Sequence, residues 1–285
     1  MKQARRPYSS PYLKRASVLI TALWILAIFA VLAAGLYGIV SAQLSLTRYM
    51  ENRIISQYLA KSGVIYARYA RKKDTTKFDA LNKFRTKQET ELGRGKFIYT
   101  IIDEESKINI NSAPFEVIQR LPGLDSDLAQ KIMASKLRPF ALKEELLLVE
   151  DMTPEIYGQL KDFVTVYGEG RVNINTAGRE VLKALGFDDE SIRIIRQFRA
   201  GEDGKEGTED DGVFTDSAKI IEDLRALAGF SAAHEAKILQ VLSKGLITVK
   251  SENLNLEIET EVLGRPAIKY TVLFNQEKIR EWHEY

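Results

Sequence analysis

The chain of 285 residues contains no cysteine, which removes disulfides and thiolate metal sites from consideration. Histidine is nearly as scarce: His234 and His283 are the whole supply, and neither has a second histidine near it in sequence. A histidine metal site or a histidine-activated nucleophile has little to draw on, so the sequence argues against an enzyme. Charge is missing from residues 16–47, where no acidic or basic residue separates Arg15 from Arg48. Proline is missing from residues 17–73, so no helix breaker interrupts that stretch. Acid is missing from the first 16 residues, which carry Lys2, Arg5, Arg6, Lys14 and Arg15.

Residues 1–16 therefore read as a basic leader and residues 18–40 as an uncharged apolar run. About 23 residues at ~1.5 Å rise give roughly 35 Å, enough for a hydrocarbon core of ~30 Å. The basic flank predicts that the N-terminus stays in the cytoplasm and the rest lies beyond the membrane. A cleaved secretory signal has a shorter core that ends at a small-residue cut. Here the run flows into Ile54, Ile55, Tyr58, Leu59, Ser62, Ile65, Tyr66 and Tyr69 at three- and four-residue spacing. The pattern predicts one continuous helix over 17–72, its span about 18–40, whose later half packs on a folded domain. The leader supplies five of the 41 basic residues and none of the 39 acids, so the remainder carries 36 bases against 39 acids, a net of −3. That is a poor starting point for binding a polyanion.

Residues 72–95 are polar and read as a solvated, partly helical connection closed by Gly93 and Gly95. Residues 97–103 alternate aromatic or branched side chains and predict a strand. Residues 246–250, 253–262 and 267–274 predict three more, with Leu254, Leu256 and Ile258 at the two-residue spacing of a half-buried strand. Between these strands lies a helical region containing a repeat. Lys107, Ile108, Asn109, Ile110, Asn111, Ser112 and Ala113 recur as Arg171, Val172, Asn173, Ile174, Asn175, Thr176 and Ala177, a shift of 64 residues at each position. Helix-hairpin-helix turns are expected at Leu121–Leu124, Ala184–Phe187 and Leu227–Phe230, each with a glycine for the tight backbone. Ser112 and Thr176 are the expected N-caps of the helices that follow. The expected fold class is α+β, with a sheet domain formed by 73–106 and 246–285 and a helical domain, 107–245, inserted into it.

Helix-hairpin-helix modules also occur in DNA receptors, where hairpin amides and a helix N-terminus hold a phosphate. Here Asp125 and Asp127 follow the first hairpin, and Asp188, Asp189 and Glu190 follow the second. Carboxylates there satisfy the helix dipole themselves and repel phosphate, so nucleic acid is not the expected partner.

Residues 201–212 pack six carboxylates and four glycines with only Lys205 opposing them. One reading is a solvated acidic loop. The other is a calcium site, because Ca²⁺ takes several carboxylate and carbonyl oxygens. The candidate ligands are Asp203, Glu206, Glu209, Asp210 and Asp211, with the Thr208 carbonyl as an addition.

A basic leader, an apolar helix continued into a soluble domain, a sheet and an inserted helical domain, with Asn-x-Asn-Ser/Thr-Ala at 109–113 and 173–177, resemble the minor pseudopilin K family of type II secretion. The acidic stretch from Asp203 to Asp211 also resembles a calcium-holding loop of such proteins. The resemblance implies a pseudopilin fold and a structural role at the tip of the pseudopilus, in export across the outer membrane. It implies leader cleavage between Ala16 and Ser17, methylation of Ser17, and Thr21 at mature position five, where major subunits carry glutamate. The implied partners are the minor pseudopilins I, J and H, the major pseudopilin, and the secreted substrate or the outer-membrane secretin. The implied location is the inner membrane, single-pass, with the C-terminal domain in the periplasm. The rival reading is a membrane-anchored helix-hairpin-helix receptor for DNA uptake.

Overall fold

A computed structural model describes residues 11–84, 86–227, 229–275 and 278–285, with backbone alone at 11–17, 266 and 267. The first ten residues of the leader lie outside the described residues. The chain divides into two compact units, residues 1–54 and residues 55–285.

Helix α1 is assigned without interruption over Pro11–Lys73. In the first unit its apolar side chains from Val18 to Met50 are all exposed, and this is the one described helix long and apolar enough to cross a membrane. An exposed leucine or isoleucine on every side of a helix is at home in lipid or among other helices, not in water.

The second unit contains a five-stranded antiparallel sheet in the order β1 (Gln88–Leu92), β2 (Gly95–Asp103), β7 (Leu254–Val262), β8 (Arg265–Phe274) and β9 (Ile279–Glu284). The central strand β7 and its neighbour β2 pair over nine residues from Gly95 opposite Val262 to Asp103 opposite Leu254. Everything from residue 104 to residue 253 is inserted between them. Leu254, Leu256, Ile258 and Val262 face the core, while Glu257 and Glu259 face outward, as the two-residue period predicts.

Residues 55–73 of α1 lie on this sheet, with only part of the face that the apolar spacing suggests: Leu59 is buried and Ile55 packs against the core. The buried side is Ser56, Leu59, Ala60, Val64, Ala67 and Arg71, with Gly63 so close that a Cβ there would come within 3.2 Å of the Phe97 ring. Tyr58, Ile65 and Tyr69 are each 66 % exposed on the opposite side. Ser56, Ala60, Gly63 and Ala67, interleaved with Leu59 and Val64, let the helix approach the layer of Phe97, Tyr99 and Ile258 closely.

Three expectations about strands need correction. β1 lies inside the stretch read as a solvated connection, and β9 carries no strand signal of its own. Both are edge strands with mostly exposed side chains, so they have no buried face to impose a two-residue period. Residues 246–250 do not join the sheet: β6 (Ile247–Thr248) pairs in parallel with β5 (Val172–Asn173). An apolar run of this length specifies a buried strand but not its partner.

The inserted region is two copies of one plan. The first runs β3 (Ile108–Asn109), α2 (Phe115–Ile118), α3 (Ser126–Ala134), a 3-10 turn (Lys143–Leu148), α4 (Pro154–Leu160) and β4 (Val164–Thr165). The second runs β5, α5 (Arg179–Leu185), α6 (Asp189–Arg199), α7 (Ile220–Arg225), α8 (Ala232–Leu242) and β6. In each copy the first and last segments close on one another as a two-residue parallel bridge. The two copies share one apolar core, from Ile108 to Val249, separate from the core between α1 and the sheet.

Candidate functional site

The repeated asparagines close each copy. Asn111 accepts from the Phe140 N–H at 2.8 Å and donates Nδ2 to the Phe140 carbonyl at 2.9 Å. Asn175 makes the same pair with Phe214, both bonds at 2.9 Å. The side-chain amide thus replaces a strand neighbour and satisfies both main-chain groups of a buried phenylalanine. One position earlier in the alternation, Asn109 and Asn173 each accept from the N–H two residues on, an Asx turn that fixes the corner.

Ser112 and Thr176 do not cap the following helices. Pro114 and Gly178 occupy those N-cap positions, without side-chain caps. The Thr176 hydroxyl instead donates to the buried Asp103 carboxylate at 2.5 Å. Asn173 Nδ2 and the Ser251 hydroxyl also donate to that carboxylate, at 3.0 and 2.7 Å. Burial pushes the Asp103 carboxyl up to about 6, against the lowering effect of the Thr176 and Ser251 donors.

Each copy holds two hairpins, four in all, not the three that carry glycine signals. Gly123, Asp151, Gly186 and Gly229 each have positive φ. Each stands two residues before an N-cap: Asp125, Thr153, Asp188 and Ser231, whose side chains accept from the third helical N–H. Asp151 holds the left-handed position that glycine holds elsewhere, which hides the second hairpin of the first copy from a sequence reading. The Asp125 and Asp188 carboxylates accept from N–H groups of the first helical turn, the kind of donor a phosphate would need. Lys237 and the Ser191 hydroxyl and N–H lower the Asp188 carboxyl well below the ordinary range, so it stays charged.

The acidic loop stands between α6 and Phe214. The first copy crosses the same gap with residues 135–139, the second with residues 200–213, so the loop is an enlargement at one fixed point of the plan. Its ends are pinched: a Cβ at Gly201 would come within 2.3 Å of the Asp210 carbonyl, and one at Gly212 within 2.1 Å of the Phe198 carbonyl. Asp203, Thr208, Asp210 and Asp211 converge, but chiefly on the loop's own backbone. Asp210 accepts from the N–H groups of Glu202 and Asp203 at 2.9 and 3.0 Å and from the Thr208 hydroxyl at 2.7 Å. Those bonds, the Thr208 hydroxyl foremost, lower its carboxyl. Asp211 accepts from the N–H groups of Gly207 and Thr208, and Asp203 from that of Lys205.

Glu206 is turned away to Arg196 at 2.9 Å and Arg199 at 3.2 Å, and Glu209 is exposed. The oxygen-only donor set is of the kind a hard cation takes, and in the structure these oxygens are bonded within the loop and to the two arginines. Among the described residues no three acidic or histidine side chains are grouped as a metal ion would need.

Arg199 gave no sequence signal. It is 3 % exposed and donates to the carbonyls of Ile174 and Ala177 at 3.1 and 2.7 Å while facing Glu206. It ties the loop to the second asparagine motif. Ala16 and Ser17 lie within α1, where the backbone alone is described.

Residues 103–165, the first copy, match the family model of the helix-hairpin-helix motif. No curated protein matches the chain. Among solved structures, a chain of the GspK-GspI-GspJ complex from the type 2 secretion system of enterotoxigenic Escherichia coli superposes with a TM-score of 0.56 at 15 % identity. The match covers 85 % of this chain and 98 % of that one. The fold is pseudopilin-like. A long apolar helix, a small antiparallel sheet and a large helical insertion between two of its adjacent strands make up this pseudopilin-like chain, whatever its sequence distance from the solved example.

Proposed function

We propose that this protein is a minor pseudopilin in the K position of a type II secretion pseudopilus, a structural tip component and not an enzyme. The observation that carries the reading is the fold likeness over nearly the whole of a chain from a minor pseudopilin complex, joined to a fully exposed apolar span. Its span holds it in the inner membrane, and the folded unit stands in the periplasm. Its partners are the minor pseudopilins I, J and H and the major pseudopilin, and its exposed end meets the secreted substrate or the secretin.

The exposed line of Tyr58, Ile65 and Tyr69 supports helix-to-helix association, since three large apolar side chains on one side of a helix gain by leaving water. Cleavage between Ala16 and Ser17 and methylation of Ser17 belong to the same reading. Calcium at residues 201–212 rests on the donor chemistry alone and has its own test below. The deciding experiment is co-purification of the full chain with candidate minor pseudopilins from membranes, with N-terminal sequencing of the product. A mature chain that starts near Ser17 and brings down partners is expected. A chain that starts near Arg48 and is recovered alone would sink the proposal.

The helix-hairpin-helix match favours one other reading, a tethered DNA receptor. Mobility-shift titration of the full chain in detergent separates the two. Salt-sensitive binding to duplex at micromolar concentration or tighter would support the receptor, and the carboxylates at the N-caps predict none.

A further inference from the structure

Two hairpins of the sheet turn at the same end. β1 and β2 join through Gly93 and Arg94, with Leu92 opposite Gly95. β7 and β8 join through Leu263 and Gly264, with Val262 opposite Arg265. The Leu263 N–H donates to the Arg94 carbonyl at 3.1 Å, so the two turns form one tip. α1 enters the folded unit at this end, where a Cβ on Gly95 would come within 2.8 Å of Leu59 Cδ1. The inserted region joins the sheet at its other end, where Asp103 stands opposite Leu254.

The tip carries two leucines that the fold does not bury. Leu92 is 45 % and Leu263 68 % exposed. Leu263 and Gly264 have φ of 52° and 74°, the paired left-handed conformation of a two-residue turn that favours Asn-Gly. A leucine there suffers the clash of its Cβ with a backbone carbonyl, and its exposed side chain gains no packing in return. Arg94 and Arg265 are exposed beside the leucines, and residues 92–95 and 262–265 include no acid. Behind the tip, Glu89 and Glu261 share Lys96 at 2.9 and 3.2 Å, and Glu91 stands opposite the same lysine.

A short tether decides what such a tip meets. The uncharged stretch ends at Arg48, seven residues before Ile55, where the folded unit begins. Seven residues span roughly 25 Å at most when fully extended, and the headgroup layer alone takes up about 5–7 Å of that reach. However the tether is folded, a chain whose apolar run crosses a membrane keeps the entry end of its folded unit within that distance of the bilayer surface.

We propose that the paired tip is a membrane-surface contact, Leu92 and Leu263 entering the boundary between headgroups and acyl chains while Arg94 and Arg265 meet lipid phosphates. Leucine and arginine side by side suit that boundary, since one gains by leaving water and the other keeps its charged head among anions. The inference rests on the reading of residues 18–40 as a membrane span, and its test separates the two.

The chain has no cysteine, so a single introduced one carries a nitrobenzoxadiazole label at a unique place. The full chain is reconstituted in vesicles of three parts phosphatidylethanolamine to one part phosphatidylglycerol, with doxyl-labelled lipid as the quencher. Labels go on Leu263→Cys, on Leu148→Cys, an exposed leucine of the inserted region, and on Ile28→Cys within the span. Quenching at Leu263→Cys is expected to exceed that at Leu148→Cys at least about two-fold. Equal quenching at these two sites would overturn the proposal. Quenching at Ile28→Cys with none at Leu263→Cys would overturn it and leave the span standing. No quenching at Ile28→Cys would overturn the span and the contact with it. A blue-shifted label at Leu263→Cys that lipid does not quench would overturn it in favour of a protein contact. Leu263→Asn should leave the melting temperature unchanged or higher, because it relieves the turn, while reducing quenching of a label on Leu92→Cys at least about two-fold. A melting temperature lowered by several degrees would place the leucine in the fold and overturn the proposal, as would unchanged quenching at Leu92→Cys.

Discussion

At the scale of single residues, the asparagines of the repeat carry the most testable load. Asn175 is 2 % exposed and Asn111 is only half-buried. Replacing either by alanine strands an N–H and a carbonyl of a buried phenylalanine, and the stranded groups cost more where water cannot reach them. Asn175→Ala is expected to cost about 2–4 kcal/mol and Asn111→Ala about 1–2 kcal/mol, read from denaturant melts. Equal or negligible losses would mean that the amide pairing is incidental.

Asp103 makes a second prediction at this scale. Burial lifts its carboxyl to about 6 in the folded protein, from an ordinary aspartate value of 3.8. The folded protein therefore keeps a proton that the unfolded chain has released, and between these values acidification stabilises. Stability from this group should rise by about 2–3 kcal/mol as pH falls from 7 to about 4, and Asp103→Asn should flatten that slope. Asp74 runs the other way. Its carboxyl is lowered to about 2 by the donors of Thr76 and Lys83 despite burial, so its contribution is lost only below about pH 4. The two windows do not overlap, which makes the sign at pH 5–7 a clean reading of Asp103.

At the scale of elements, helix α1 and the acidic loop each pose a question of fit. Gly63 marks the closest approach of α1 to Phe97 and Ile258. Gly63→Leu should destabilise the folded unit by about 1–3 kcal/mol through overpacking, measured by thermal melting. The loop is ordered by Asp210 and Asp211 on its own amides, so Asp210→Ala with Asp211→Ala should lower the melting temperature even in chelator. If the loop also takes calcium, the parent chain should melt several degrees lower in chelator than in millimolar calcium, and the double variant should not respond. An unchanged melt of the parent chain would remove calcium from the proposed function.

At the scale of the whole molecule, partner association should depend on side chains that folding does not use. Tyr58, Ile65 and Tyr69 are exposed. Replacing all three by alanine should leave the melting temperature within a few degrees while reducing co-purification with minor pseudopilins at least ten-fold. Loss of both together would place these residues in the fold instead of in the assembly.

The apolar span, the paired asparagine motifs, the alternation in β7 and the glycine hairpins could be read directly, because each is a local pattern whose period or spacing is set by backbone geometry. Position along the chain also separates the acidic loop from its surroundings before any coordinates are known. Partnership could not be read that way. Nothing local says that residues 247–248 pair with 172–173, that Asn111 and Asn175 hold Phe140 and Phe214, or that Thr176 turns to Asp103 instead of to a helix end. Several sheet-facing positions of α1 went to alanines and glycine because helix–sheet distance, a property of two packed layers, outweighs side-chain apolarity there. The loop carboxylates likewise went to nearby amides and arginines, since a charged oxygen takes the fixed donors that folding brings within reach.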